Sequence, residues 1–242
     1  MDERAIAAHW GSGDVYSLIV AALKKMAKPL DALTVEDLAP VDHFHARGFP
    51  ATVELADRLP ITEPFVAAAN KLTALLRMED QVTIAHGDGQ RLPYADIVFD
   101  GAYTQHVTMN VADRPGFFAE ACRVLKPGAF FALTEHGLGT MGNPHYPVPW
   151  SGDGRGAYLV TPAETRAVLE GVGFEEIEVE DTGAKYVAGY RSRIEKAEKG
   201  LLPPLGPHIL MGDTALQKTR NAARNIEEDR THPILLICRK PR

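Results

Sequence analysis

Between residues 96 and 183 the chain alternates short apolar runs with segments of helical period, and this order leaves few folds open. DIVFDGAYT, AFFALTEH and FEEIEVEDTG read as strands, dense in aromatic and β-branched residues or alternating apolar with acidic ones. PGFFAEACRVL and TPAETRAVLEGVGF, lying between them, read as helices. The first runs into Lys126-Pro127-Gly128, a basic turn followed by a breaker and a glycine. The second opens with Thr161 as cap, Pro162 at the first helical position and Glu164 three residues after the cap. Helix and strand in strict succession predict an α/β layer fold, with helices covering both faces of a mostly parallel sheet.

The flanks add further elements. YSLIVAALKKM, residues 16–26, is an amphipathic helix closed by Pro29, and Val35 to Leu38 begins a shorter one. A third helix is expected from about Asp42 to Pro60, and a fourth from Thr62, with Pro64 in its first turn. Gln81 to Ala85 reads as a short strand, residues 186–227 as a mostly helical region around LLPPLGPH, and ILLIC at 234–238 as a further strand. The expected organisation is one domain over 1–242, with an N-terminal helical cap (1–50), a Gly/Pro-rich lid (137–160) and a second helical cap (186–227).

Composition excludes several classes. Twenty-six Lys and Arg stand against 32 Asp and Glu, a net charge of −6, so a basic nucleic-acid groove or a polybasic membrane patch is not expected. A 45% hydrophobic content is enough for a sizeable core, and no apolar run approaches the length of a membrane span. Cys122 and Cys238 are too few for a disulfide scaffold and lack thiolate-metal spacing, which favours a reduced, cytoplasmic protein. The expected partner is a small molecule, neutral or cationic, and self-association is compatible with the sequence.

Ligand sites in such sheets form at the carboxyl ends of strands. Three places qualify: Gly87-Asp88-Gly89-Gln90, Gln105-His106 and Glu135-His136. The Asp88 carboxylate suits a ligand amino group, and the same string equally fits a plain Asp-Gly turn; Leu92 offers an apolar edge to a flat ring. His106 and His136 titrate in the range suited to proton transfer near neutrality, their alternative being solvated or capping histidines. His43, His45, His106, His136 and His145 lack the spacing of a metal site, so no metal is expected, and hydrogen bonding to substrate is the better use for them. Tyr16, Phe44, Tyr146, Trp150 and Tyr158 are core residues or, alternatively, an aromatic box that would attract a cationic substrate.

The stretch GDGQRLPYADIVFDGAYTQHVTMNVADRPGFFAEACRVLKPGAFFALTEH resembles the central half of class I S-adenosylmethionine-dependent methyltransferases. GDxxxLP, the FD strand, the histidine after it and RVLKPG carry the resemblance, which extends over roughly residues 14 to 182 and is nearest to the sarcosine/dimethylglycine type of small-molecule N-methyltransferase. It implies a Rossmann-like, seven-stranded, mostly parallel sheet, with S-adenosyl-L-methionine as cofactor and S-adenosyl-L-homocysteine as product. Asp88 would receive the adenine amine, with Gly87, Gly89, Gln90 and Leu92 beside the ring. Arg47 and Gly48 would contact the methionine carboxylate, and Gln105 and His106 would lie between methionine and acceptor. His136, His145, Tyr146 and Trp150 would face the acceptor, with Tyr16, His45 and Tyr158 as further substrate contacts. His106 and His136 are the candidate catalytic pair. The implied reaction is in-line methyl transfer to an amine nitrogen; a phenolic, quinone or sterol-like acceptor, or a non-catalytic binding module, stays open as the alternative. Tocopherol- and sterol-type C-methyltransferases share much of this pattern.

One departure stands out. These enzymes begin their sheet with a strand entering a glycine-rich loop and a second strand ending in a ribose-binding acid, and between ADRLP and ITEPF this sequence has neither. The expectation is that a nucleotide cradle belongs between Pro60 and Ile61; the alternative is a true deletion and a dead enzyme.

Overall fold

The computed structural model describes residues 14–42, 63–80, 82–85 and 87–242. Helix α1, Val15–Lys25, starts where the Asp14 carboxylate accepts from the Ser17 amide and buries Val15, Ile19, Ala22 and Leu23 along one stripe. Its last turn carries Lys24 and Lys25, a favourable end for cations. Helices α2, Val35–Asp42, and α3, Glu63–Leu75, follow. Leu23, Leu33, Leu38, Ala68 and Leu205 close this N-terminal core, which therefore recruits a residue from far down the chain. The helix expected between Asp42 and Pro60, and the junction of Pro60 with Ile61, lie outside the described residues.

Strand β1, Phe99–Gln105, leads through a 3-10 turn at Thr108–Asn110 to α4, Arg114–Val124, and β2, Leu125–Leu138. Then come α5, Pro162–Gly171, β3, Glu175–Asp181, α6, Gly183–Glu198, the short α7, His208–Met211, α8, Ala215–Glu227, and β4, Thr231–Arg239. The expected cap of α5 is present in full: the Thr161 hydroxyl accepts from the Glu164 amide while Glu164 accepts from the Thr161 amide. The expected break at Lys126-Pro127-Gly128 is not a loop; helix passes directly into strand there, with Gly128 at φ +78° and its amide donating to the Lys240 carbonyl.

The expectation of a seven-stranded, mostly parallel sheet is overturned. Among the described residues the sheet has four strands in the order β1-β2-β4-β3, and of the three pairings between neighbours only β1 with β2 is parallel. β4 pairs antiparallel with β2 on one side and β3 on the other. The reason lies in the connections. The single helix α4 forms a βαβ crossover and so makes β1 and β2 parallel, whereas the excursion through α6, α7 and α8 delivers β4 in the reverse direction. Residues 82–85 join no strand, although a strand was expected there.

The period of two along β2 divides the molecule. Phe131 and Leu133 point to the side of α4 and α5, where they meet Phe118, Leu169 and Phe174. His136 points to the other side, toward Tyr186 and Tyr190 of α6, which pack on Ala222 and Ala223 of α8. Each cluster is closed by large buried side chains, the main source of stability in such layers.

Candidate active site

Adjacent on β2, Glu135 and His136 enter two different environments because they face opposite sides of the sheet. Glu135, fully buried, accepts from the Thr108 hydroxyl at 2.5 Å and the Thr165 hydroxyl at 2.6 Å, and pairs with the Arg114 guanidinium at 2.8 Å. This network ties the starts of α4 and α5 to the carboxyl end of the sheet. It is a structural clamp, and it separates Glu135 from the ligand pair in which sequence order had placed it.

His136 enters an aromatic enclosure. Its ring stacks on Trp150 at 4.4 Å between centroids, lies 5.2 Å from Tyr186, and shares a 3.2 Å hydrogen bond through Nε2 with the Tyr190 hydroxyl. Burial holds His136 down to about 3, so the imidazole is neutral across the physiological range. The same burial pushes the Tyr190 hydroxyl up. His106, at the end of β1, lies 5.5 Å from His136 and shares a 2.7 Å hydrogen bond through Nε2 with the Tyr186 hydroxyl. Its backbone sits at φ +52°, a conformation that costs a non-glycine residue energy and that neighbours must enforce; one such contact is its amide donating to the Thr134 carbonyl. His106 is half-buried where His136 is sealed, so of the two it is the one with access.

Several buried polar atoms in this region have no hydrogen-bond partner: Thr104 Oγ1, Thr134 Oγ1, His136 Nδ1 and Trp150 Nε1. Leaving a buried polar group unpaired costs about 1–3 kcal/mol; Thr104, in register with Leu133, shares the α4/α5 face, whereas Thr134 and His136 lie on the opposite face, where Trp150 stacks on His136.

The 137–160 segment is stapled down. The Asn110 amide donates to the Gly156 carbonyl at 2.8 Å, and the Tyr158 amide donates to the Met109 carbonyl at 2.7 Å. Asn221 and Asn225 of α8 donate to the carbonyls of Pro147 and His145. Trp150 is thereby held on His136, while Tyr146 packs with Met109, Val148 and Trp150 in the cluster behind it. His145 is turned away: its Nε2 lies 2.7 Å from Glu228, whose carboxyl is held down to about 2 by Arg230, His145 and Arg224. Tyr16 lies in the N-terminal core, with the Lys71 ammonium 4.8 Å from its ring centre, and is not brought to the histidine pair. Arg47, Gly48 and His45 lie outside the described residues.

Asp88 is exposed, and its Oδ1 accepts from the Gln90 amide at 2.8 Å and from the Gln90 side chain, the turn geometry that its two glycines favour. Leu92 next to it is positioned through its amide, which donates to Glu120. Arg123 locks the same loop to α4 by donating to Glu120, Asp96 and the Tyr94 and Leu92 carbonyls. Gly89 approaches the Phe117 ring so closely that a Cβ would meet it at 2.5 Å. Tyr186 and Tyr190 were not anticipated from the sequence, although two tyrosines at i and i+4 on a helix were a readable sign of one shared face. Among the described residues no group of three His, Cys, Asp or Glu could hold a metal ion, and no helix is long and apolar enough to cross a membrane.

Helices and a mixed sheet in one domain, with His106 and His136 meeting at two neighbouring strand ends, define an α/β protein. Residues 53–133 match the family described as methyltransferase domain. The chain is 33% identical over 123 residues to the methyltransferase phqN of Penicillium fellutanum, a match that covers 48% of this chain and 38% of that protein. The chain thus spans well under half the length of that relative. Among solved structures it is similar to phosphoethanolamine N-methyltransferase 2 of Haemonchus contortus, in complex with phosphomonomethylethanolamine and S-adenosylhomocysteine: TM-score 0.60 and 19% identity, over 74% of this chain and 42% of that one. A structure described as a sarcosine dimethylglycine methyltransferase from Galdieria sulphuraria aligns equally well, with TM-score 0.60 and 15% identity, over 76% of this chain and 68% of that one. The sarcosine type is therefore not singled out. The likeness to these solved structures is one of fold.

Proposed function

We propose that this chain transfers a methyl group from S-adenosylmethionine to a small-molecule acceptor carrying an amine nitrogen. The observation that supports it best is the stack of His136 on Trp150, with the unpaired buried nitrogens His136 Nδ1 and Trp150 Nε1, beside the half-buried His106. The residues present fit the cofactor on the adenine side. Asp88 Oδ1 accepts from Gln90 within the turn, and in this reading the exposed carboxylate would accept from an adenine amine, with Leu92 near the ring. When bound, S-adenosylmethionine would supply an electrophilic methyl group, with S-adenosylhomocysteine leaving as the acceptor nitrogen bonds to the methyl carbon in line.

The chain's own part is orientation, exclusion of water and proton handling. Trp150, Tyr186 and Tyr190 are buried around His136 and hold the histidine pair in place. An ammonium must lose a proton before its nitrogen can attack, and His106, with its Nε2 already on the Tyr186 hydroxyl, is placed to receive it. His136 is too weak a base at about 3 for that task; neutral and fixed between Trp150 and Tyr190, it is a hydrogen-bonding wall. The likeness to enzymes whose names specify phosphoethanolamine or sarcosine supports the amine reading.

The test is a pair of measurements on the full chain. S-adenosylhomocysteine should raise the melting temperature, and S-adenosylhomocysteine should accumulate when S-adenosylmethionine is supplied with small primary, secondary and tertiary amines. Absence of both responses would refute the reading; a thermal shift without turnover on any amine would refute the acceptor class alone.

A further inference from the structure

Between α6 and α8 runs an open groove of about 380 Å³ whose two walls are built alike. Arg191, Ile194, Glu195 and Glu198 line it from α6 at i, i+3, i+4 and i+7, and Arg220, Ala223, Arg224 and Glu227 line it from α8 at the same spacing. Such a spacing is one stripe of a helix, the surface with which it meets another helix. Ile194 and Ala223 are the apolar members, and both pack into the cluster that carries Tyr186 and Tyr190. Two ion pairs across the groove fix its register: Arg191 holds Glu227 at one end and Arg220 holds Glu198 at the other, each at 2.7 Å. The helices are therefore antiparallel, with Glu195 and Arg224 midway between the two pairs. Read from the Arg191 end, the α6 wall is positive, negative, negative, and the α8 wall is negative, positive, positive. Three arginines and three glutamates cancel, so in a chain of net charge −6 this face carries no repulsion against a like molecule. Exposed pairs of this kind contribute little to the stability of a single chain.

We propose that the α6–α8 groove is the surface on which a second copy of this chain docks, related by a two-fold axis that lies over the groove and runs parallel to it. That axis sets α6 of each copy on α8 of the other at the same level. Arg191 then meets Glu227 of the second copy, Glu195 meets Arg224, and Glu198 meets Arg220, with the reciprocal contacts given by symmetry. Every charge of both stripes gains a second partner of opposite sign, and Ile194 comes next to the small Ala223 of the other copy. A two-fold axis across the groove would instead set Glu195 on Ile194 and Arg224 on Ala223, which places charges against apolar side chains. Lys199 and Glu228, the intrahelical partners of Glu195 and Arg224, lie beside the stripes and leave this pattern intact. Complementarity of this kind fixes register and partner more than it adds affinity, so the dimer depends on concentration. The inference does not depend on the methyl-transfer reading.

Sedimentation velocity of the full chain at rising concentration is the test, and the unaltered chain should pass from monomer to dimer. Glu195→Lys with Glu198→Lys sets like charges against the α8 stripe of the second copy, and Arg220→Glu with Arg224→Glu does the same against the α6 stripe. All four positions are exposed, where the fold tolerates exchange. Each double variant alone should stay monomeric at concentrations at which the unaltered chain is a dimer. Mixed in equal amounts the two should form a dimer again, because each reversed stripe then faces its opposite, and this recovery is open only to folded chains. A monomeric unaltered chain overturns the proposal without recourse to any variant. A dimer that persists in either double variant overturns it as well, as does a mixture that stays monomeric.

Discussion

His136 makes the protein acid-sensitive in a way that can be calculated. In the unfolded chain its imidazole has the ordinary value of 6.5; in the fold, burial alone takes it to about 3. Between those values the unfolded chain binds a proton that the folded chain refuses. Stability from this residue is therefore fully present above about pH 6.5 and is lost as pH falls toward about 3. Each pH unit is worth about 1.4 kcal/mol, so the loss is about 2 kcal/mol at about pH 5 and about 5 kcal/mol at the acid limit. A loss of about 2 kcal/mol is a large share of the about 5–15 kcal/mol that holds a domain together. The perturbation is His136→Phe, which keeps a flat ring against Trp150 and removes the titrating group. Urea unfolding at about pH 7.5 and about pH 5 gives four free energies, and the wild type should lose about 2 kcal/mol more than the variant between the two conditions. His208, which burial and Arg193 also hold down, contributes equally to both proteins and cancels. Parallel losses in wild type and variant would refute the assignment of a sealed, neutral His136.

Three further outcomes follow from the geometry. Glu135→Gln leaves the Arg114 charge buried without its counter-ion and should cost about 3–5 kcal/mol, seen as a large drop in melting temperature. Tyr186→Phe removes the hydroxyl on His106 Nε2 while keeping the packing; a lost orienting bond of about 1.4 kcal/mol should lower methyl transfer about tenfold with the melting temperature nearly unchanged. Thr161→Ala removes the cap of α5 and should cost about 1 kcal/mol in chemical denaturation, with no effect on S-adenosylhomocysteine binding.

Local elements were legible because their signals are local. The Thr161 capping box, the alternating strand after it and the amphipathic α1 all follow from side-chain periodicity and hydrogen bonds within a few residues. Strand direction was not legible: THPILLICR buries residues whichever way it runs, and the reversal arises from a helical excursion that no short window contains. The strand-end rule singled out Gln105-His106 and Glu135-His136, and in the fold the rings of His106 and His136 lie close together. It assigned Glu135 to the same place because it ignored the period of two that sends adjacent residues to opposite faces. Tyr186 and Tyr190 reach the site from 80 and 54 residues away, and such a contact leaves only the spacing of the tyrosines as a trace. His145 shows the reverse error: a histidine in a glycine-rich segment looked available, and Glu228 had already engaged it.

The placement of β4 has a consequence during synthesis. Of the four described strands it is the last to be synthesised, and it lies between β2 and β3 in the finished sheet. Until it arrives, β3 has no neighbour, and β2 presents AFFALT, an uncharged apolar run, along an open edge. The interval between the end of β2 at Leu138 and the start of β4 at Thr231 is about ninety residues, about 5–20 s of translation at about 5–20 residues per second. For that time the nascent chain is a template for strand addition by other molecules. Expression at lower temperature, or with a chaperone that covers open strand edges, should therefore raise the soluble yield more than any substitution on the finished surface.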